Sequence, residues 1–252
     1  MRKAWKQLRR RPMSLLGASL LGFFALTALS APLLAPPPAG HRDPYLIPQD
    51  GYSADPAPPS RAHPLGTTEQ QYDLLHGMVW GSRTAFKVAL SVVLVSLLIG
   101  VLVGGIAGYH GGWVDETLMR LTDVVLAFPD IVLAVVVVAV LGPGLFKVMI
   151  AVTLVSWPSY ARLLRGEVLS VKEREFVLAA RALGASDARI LLRHILPNCA
   201  YPLLVLASLS MGRIVVTAAA LSFLGLGSPL GYADWGQLMS LSRNWILGSS
   251  GN

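Results

Sequence analysis

The sequence predicts an all-α fold, a polytopic membrane helix bundle, and three observations carry that reading. Of 252 residues, 54% are hydrophobic and only 14% are charged, with a mean hydropathy of +0.57. A soluble domain holds nearer a quarter charged residues, so lipid rather than water solvates most of this surface. Five apolar runs approach or exceed the about 20 residues that a bilayer crossing needs. The basic residues behind the +7 net charge flank those runs. That distribution points to membrane topology and away from nucleic acid.

Taken in order, residues 1–12 hold Arg2, Lys3, Lys6, Arg9, Arg10 and Arg11. They are read as a cytoplasmic N-terminus by the positive-inside rule. Residues 13–35 form the first span. Its basic lead and the small Ala28 and Ser30 resemble a cleavable leader, but the apolar run is longer than that of a typical leader, so a retained span is the expectation. Residues 36–83 form a Pro-rich extracytoplasmic segment. The stretch 32–64 holds ten of the 17 prolines, which excludes a helix or a central strand there. It is either a bare linker or part of an outer docking surface.

Residues 84–227 are the transmembrane core. Its first span, 84–108, carries Gly100, Gly104 and Gly108 four apart, so a neighbouring helix can approach closely. The next, 121–141, holds Asp123 and Asp130 on one face, with a kink expected at Pro129. Spans 145–164 and 200–226 follow, the last interrupted by Arg213. Between them, loop 165–199 holds Arg165, Lys172, Arg174, Arg181, Arg189 and Arg193, with Arg162 just before it. Four crossings return the chain to the side of its N-terminus, so both basic clusters agree on one topology. Residues 228–252 are then an extracytoplasmic C-terminal loop.

The loop holds a charged stretch, REFVLAARALGASDARILLRHILPN, at 174–198. Phe176, Ala179, Ala180 and Leu183 fall at helical spacing and make one apolar face, with Arg174, Glu175 and Arg181 around it. Gly184 ends that helix. Ser186 is placed to cap a second helix, with Asp187 in its first turn. Ile190, Leu191 and Ile195 supply apolar contacts, and Pro197 marks the junction into the last span. A lipid-lying amphipathic hairpin needs no break and would be more uniformly basic. The glycine elbow favours a knob that enters a groove on a soluble partner.

Leu178-Ala179-Ala180, then Gly184, then Leu196-Pro197 resembles the EAA loop of ABC importer permeases. The stretches HPLGTTEQQYDLL (63–75), GYHGGWVDETLMRLTDVVLAFPDIVLA (108–134), LGPGL (141–145), WPSYARLLRGEVLS (157–170) and ALSFLGLG (220–227) look like the second permease subunit of the dipeptide/oligopeptide and nickel importers. The resemblance runs over nearly the whole chain. It implies the ABC importer permease (MetI-like) bundle, in the bacterial cytoplasmic (inner) membrane. It also implies a heterodimer with a homologous permease, two ATP-binding subunits, and an extracytoplasmic substrate-binding protein. By that resemblance Glu175, Phe176, Ala179, Ala180, Gly184, Ser186, Asp187, Leu196 and Pro197 belong to the ATPase-coupling loop. Two positions depart from the family: Leu178 stands where it has Glu, and His194 where it has Ile. The family also continues past ALSFLGLG through one more span. With five spans visible and the family's last one missing, either the sequence is a fragment or the subunit has five spans with its C-terminus outside.

Other chemistry is unsupported by the sequence. It has no G-x-x-x-x-G-K-[ST] phosphate loop, and its histidines, at 41, 63, 76, 110 and 194, lack metal-binding spacing. The single cysteine, Cys199, forms no intrachain disulfide. No cofactor and no enzymatic activity of its own are expected; ATP hydrolysis falls to a separate chain. Ionisable residues deep in a span face cavities, pores or each other. Asp130 and Arg213 are therefore candidates for a translocation path, whereas Asp123 sits near a membrane boundary. An ion-coupled secondary transporter using Asp130 and Arg213, or a membrane scaffold without a path, stay open beside the importer. The cargo is open among dipeptides, longer peptides, nickel chelates and glycosides.

Overall fold

The computed structural model describes residues 12–37, 43–53 and 55–243. The basic cluster expected at the N-terminus, Arg2 to Arg11, lies outside the described residues, as do His41, Arg42 and 244–252. The described chain is helical, with isolated bridges and no strand. It divides into two compact units, 1–87 with 222–252, and 88–221.

In the first unit, α1 (Pro12–Leu29) is followed at once by the short α2 (Ala31–Leu34). Pro32 thus lies in a helix, against the expectation for the Pro-rich stretch. It falls in the first turn, where no N–H is needed. The side chains of Leu16, Leu20, Leu21, Phe23, Leu26 and Leu29 are all exposed, as on a helix solvated by lipid. Beyond it, the Pro-rich connection is folded onto α3 (Leu74–His110) and the C-terminal segment. Bridges pair Leu46 with Tyr232, Gln49 with Tyr72 and Thr67 with Asp73. The Trp80 indole donates to the Ala35 carbonyl (2.8 Å), and Thr84 Oγ1 to the Ala233 carbonyl (2.7 Å). Ala31, Ile47, Val79, Trp80, Ala233 and Leu238 make the apolar core of this unit.

Two carboxylates meet one imidazole here. His63 Nδ1 lies 2.7 Å from Asp73 Oδ2, and His63 Nε2 lies 3.0 Å from Asp50 Oδ2. Asp73 also accepts the His76 backbone N–H at the start of α3 (2.7 Å). The segment read as a C-terminal loop contains a helix, α10 (Trp235–Leu241). Asp234 caps it, accepting the Gly236 N–H at 2.9 Å while Ser222 and Ser228 donate to its other oxygen. That local cap is the physical reason a helix forms there.

The second unit is built around α6 (Leu145–Lys172), against which α4 (Gly112–Leu126) and α5 (Asp130–Leu141) both pack. Tyr160, Ala161, Leu164 and Val168 on α6 are fully buried. The three glycines of α3 meet this helix. A Cβ at Gly108 would stand 2.9 Å from Val168 Cβ, and one at Gly104 would run into the Ala161 backbone. Small residues are what allow two membrane helices to approach this closely.

By length and apolarity, two helical runs among the described residues are fit to cross a membrane: α3, and the run Asp187–Phe223. A third crossing is counted if α4 and α5 together make one. The kink expected at Pro129 is in fact a break, with an 88° bend between α4 and α5. Proline removes an N–H and restricts the residue before it, so Phe128 leaves the helical region and the helix restarts at Asp130. α6 has 28 residues, long enough to span, and carries Lys147, Arg162 and Arg165. α1 is apolar but shorter.

Candidate functional site

The loop between α6 and the last long helix begins where Lys172, at the end of α6, donates to the Gly108 carbonyl (3.1 Å). α7 (Glu175–Ala182) starts after an extended Arg174. Glu175 in its first turn and Arg181 in its last both suit the helix dipole. The Gly184 N–H bonds the Arg181 carbonyl (3.0 Å) and the Ala185 N–H bonds the Ala180 carbonyl (3.1 Å). With Gly184 at φ +79°, this is a Schellman ending, and the elbow expected at Gly184 is its product.

After the elbow the chain re-enters a helix at α8 (Asp187–Arg189). Ser186 stands at the cap position with extended backbone, but its side chain makes no capping hydrogen bond; its carbonyl accepts from the Ile190 N–H (2.9 Å). Asp187 instead takes a hydrogen bond from the Tyr109 hydroxyl at the end of α3. Ile190–Ile195 forms a π-helical turn that runs directly into α9 (Leu196–Phe223). Pro197 therefore opens no new element. It lies inside a continuous helical run, and the wider turn before it relieves the clash its ring would make with the preceding turn.

The side chains of this loop divide sharply. Val177, Ile190 and Ile195 are fully buried and anchor it. On α7, Phe176 is 40% exposed and Leu183 is 89% exposed, with Leu178 and Ala179 also open. Glu175, Gly184, Ser186, Asp187 and Pro197 are exposed, whereas Ala180 and Leu196 are partly covered. The apolar face read from Phe176, Ala179 and Leu183 thus points outward.

Besides Arg120–Glu116 within α4, three ion pairs join different helices of this unit. Arg165 on α6 grips Asp115 on α4 through two hydrogen bonds, 2.5 and 2.6 Å. Arg162 donates to Asp123 (2.6 Å). Arg213 on α9 donates to Asp130 at the first turn of α5 (3.0 Å). The Asp130–Arg213 pairing, which spacing left open, is present. The Asp115–Arg165 and Tyr109–Asp187 contacts were missed, because their partners are far apart in sequence. Asp115 and Arg165 do carry opposite charges beside neighbouring spans, the one signal that was there to use. No cluster of His, Cys, Asp and Glu among the described residues is arranged to hold a metal ion.

Comparison with known proteins gives this arrangement its family. Residues 100–248 match the model of the binding-protein-dependent transport system inner membrane component, and residues 1–59 match the N-terminal TM domain of oligopeptide transport permease C. The dipeptide transport system permease protein of Alkalihalophilus pseudofirmus is 38% identical over 97% of this chain and 78% of its own length. Glutathione transport system permease proteins of Pectobacterium atrosepticum and Escherichia coli are 36% and 37% identical, over 96% and 95% of this chain and 80% and 77% of theirs. A membrane-embedded helical unit of this length, matched by relatives along nearly all of it, belongs to the binding-protein-dependent transport system inner membrane components, the permease subunits of ABC importers.

Proposed function

We propose that this chain passes peptides across the bacterial cytoplasmic membrane as one of two homologous permeases, driven through loop 165–199 by two ATP-binding subunits. An extracytoplasmic binding protein hands over the cargo, and the N-terminus lies in the cytoplasm. The peptide class follows the names of the relatives, and membership of an ABC importer family favours this reading over an ion-coupled carrier or a scaffold.

The observation that supports coupling is the outward apolar face of α7. A short helix held from below by Val177, and stopped by the Gly184 elbow, presents Phe176 and Leu183 to the outside. In water such a face is costly unless a partner covers it. Glu175, Asp187 and Arg181 at its margins set orientation. The family's usual Glu is Leu178 here, which adds apolar area at the docking surface in place of a charge.

The test is to replace Leu183 with Glu in the assembled importer. The proposal expects the ATPase subunits to dissociate on purification and ATP-driven peptide uptake to fall at least about tenfold, the cost of burying an unpaired charge. Retained association and uptake would refute docking through this face.

A further inference from the structure

We propose that Asp130 and Arg213 read the two ends of the cargo, Arg213 taking a peptide's carboxylate and Asp130 its ammonium group. This inference rests on the peptide-importer reading above.

The placement of Arg213 comes first. Along α9 the buried side chains Cys199, Leu203, Ala207, Ser210, Ile214, Ala218 and Leu221 make a stripe recurring every three or four residues, with Ser222 beside the last. Arg213 lies about a quarter turn round the helix from that stripe, at the margin of the exposed face that holds Leu209 and Val216. It also stands at the midpoint of the apolar run 200–226. The side chains of Arg213 and Asp130 are 48% and 42% accessible. A half-open ion pair at that depth is not stable against hydrocarbon, so this face borders water or another polar surface. A wall that is otherwise apolar and carries one positive and one negative group is a binding surface of ordinary type, with few polar groups to fix orientation.

The bonding leaves the pair able to accept a guest. The contact joins Nη1 of Arg213 to Oδ2 of Asp130. It uses one of five guanidinium N–H groups and one of two carboxylate oxygens. Arg165, by contrast, grips Asp115 with two bonds in a far more enclosed setting. Dipeptides and glutathione, which the relatives' names mention, share little side-chain chemistry. What they share is a free ammonium and at least one free carboxylate. A dyad of opposite charge answers that common feature while the apolar wall leaves side chains unread. Bound ends would strengthen charge-assisted hydrogen bonds that water otherwise screens.

The experiment uses the complete importer in proteoliposomes, with its binding protein and ATP. The cargoes are labelled Ala-Ala, its C-terminal amide, and its N-acetyl form. Each variant is compared with wild type on the same cargo, so any selectivity of the binding protein cancels. Arg213→Gln should lower uptake of Ala-Ala by about tenfold, the loss of one charge-assisted hydrogen bond, and leave uptake of the amide at its wild-type level. Asp130→Asn should do the same for Ala-Ala against the N-acetyl form. Arg213→Lys should recover most of the Ala-Ala uptake. Size-exclusion chromatography of each variant with its partner subunits should show the assembled complex, which separates reading from folding. Equal losses on all three cargoes would make the pair structural and overturn the proposal, as would no loss on any. Absence of ATP-dependent peptide uptake by wild type would instead overturn the peptide reading, and this inference with it.

Discussion

The Tyr109 hydroxyl donates to the Asp187 carboxylate, 78 residues further along the chain. Tyr109 closes α3, and Asp187 opens the helical run that follows the Gly184 elbow. The contact therefore fastens the elbow to a helix that is not its neighbour in sequence. A hydrogen bond to a charged acceptor is worth about 1.5 kcal/mol or more when shielded, and less at an exposed site such as this.

Tyr109→Phe removes that fastening and keeps the ring. The importer should still assemble, while peptide imported per ATP hydrolysed falls about two- to fivefold, as about 1 kcal/mol of positioning is lost. Parallel uptake and phosphate-release assays on one preparation give the ratio. An unchanged ratio would mean that the elbow is held in place without Tyr109.

Gly104→Ala puts a methyl group against the Ala161 backbone, which cannot turn aside. Overpacking of this kind costs about 1–3 kcal/mol. Gly105→Ala is the control, since its methyl would stand at ordinary distance from Leu164 and Leu196, 3.8 and 3.9 Å. Thermal unfolding of the purified complex should show a lowered midpoint for the first variant and little change for the second.

Arg165→Lys keeps the charge beside Asp115 but replaces a two-pronged grip with a single ammonium. The expected loss is about 1–2 kcal/mol. Asp115→Ala, which leaves the half-enclosed guanidinium without its partner, should cost more. A double-mutant cycle read by thermal unfolding separates the coupling from the two single effects. A coupling near zero would remove this pair from the account of how α4 is held to α6.

His63 provides a pH dependence. A neutral imidazole donates through only one nitrogen, yet both nitrogens face carboxylates that only accept, Asp73 and Asp50. The imidazolium alone satisfies both. The Asp73 hydrogen bond, aided by Asp50 and opposed by burial, raises the His63 pKa. A raised pKa means stability fully present below the unfolded value, about 6.5, and lost as pH rises through the folded value. The connection should thus be held most firmly in mildly acidic medium and loosen on the alkaline side. Limited proteolysis between residues 50 and 63 as pH is raised should show this, and His63→Gln should abolish the dependence. Cleavage that is independent of pH in the parent protein would contradict it.

Local signals made part of this structure legible in advance. Gly184 ends its helix because a residue with positive φ is wanted there, and glycine takes that conformation without penalty. The stripe of Gly100, Gly104 and Gly108 announced a close helix contact, although nothing in it named Ala161 or Val168 as the far side. Pro129 announced a kink, but its 88° depends on where α4 and α5 separately find packing on α6, a tertiary matter. Ser186 looked like a cap from composition, yet its side chain is not used as one. The roles of His63 and Asp115 stayed hidden for a common reason: their partners lie 10 to 50 residues away and meet only once the chain has folded.

The π-helical turn at Ile190–Ile195 acts as a phase setter for everything after it. A π turn accommodates about one residue more than an α turn, and each residue advances an α-helix by about 100°. Restoring plain α geometry there with every residue kept would rotate the whole of α9 by about that angle relative to the elbow. Arg213 would then swing away from Asp130, and members of the buried stripe from Leu203 to Leu221 would come round to the outside. The azimuth of Arg213, a charge midway along an apolar run, is thus written some 20 residues upstream, in the hydrogen-bond spacing of a single turn.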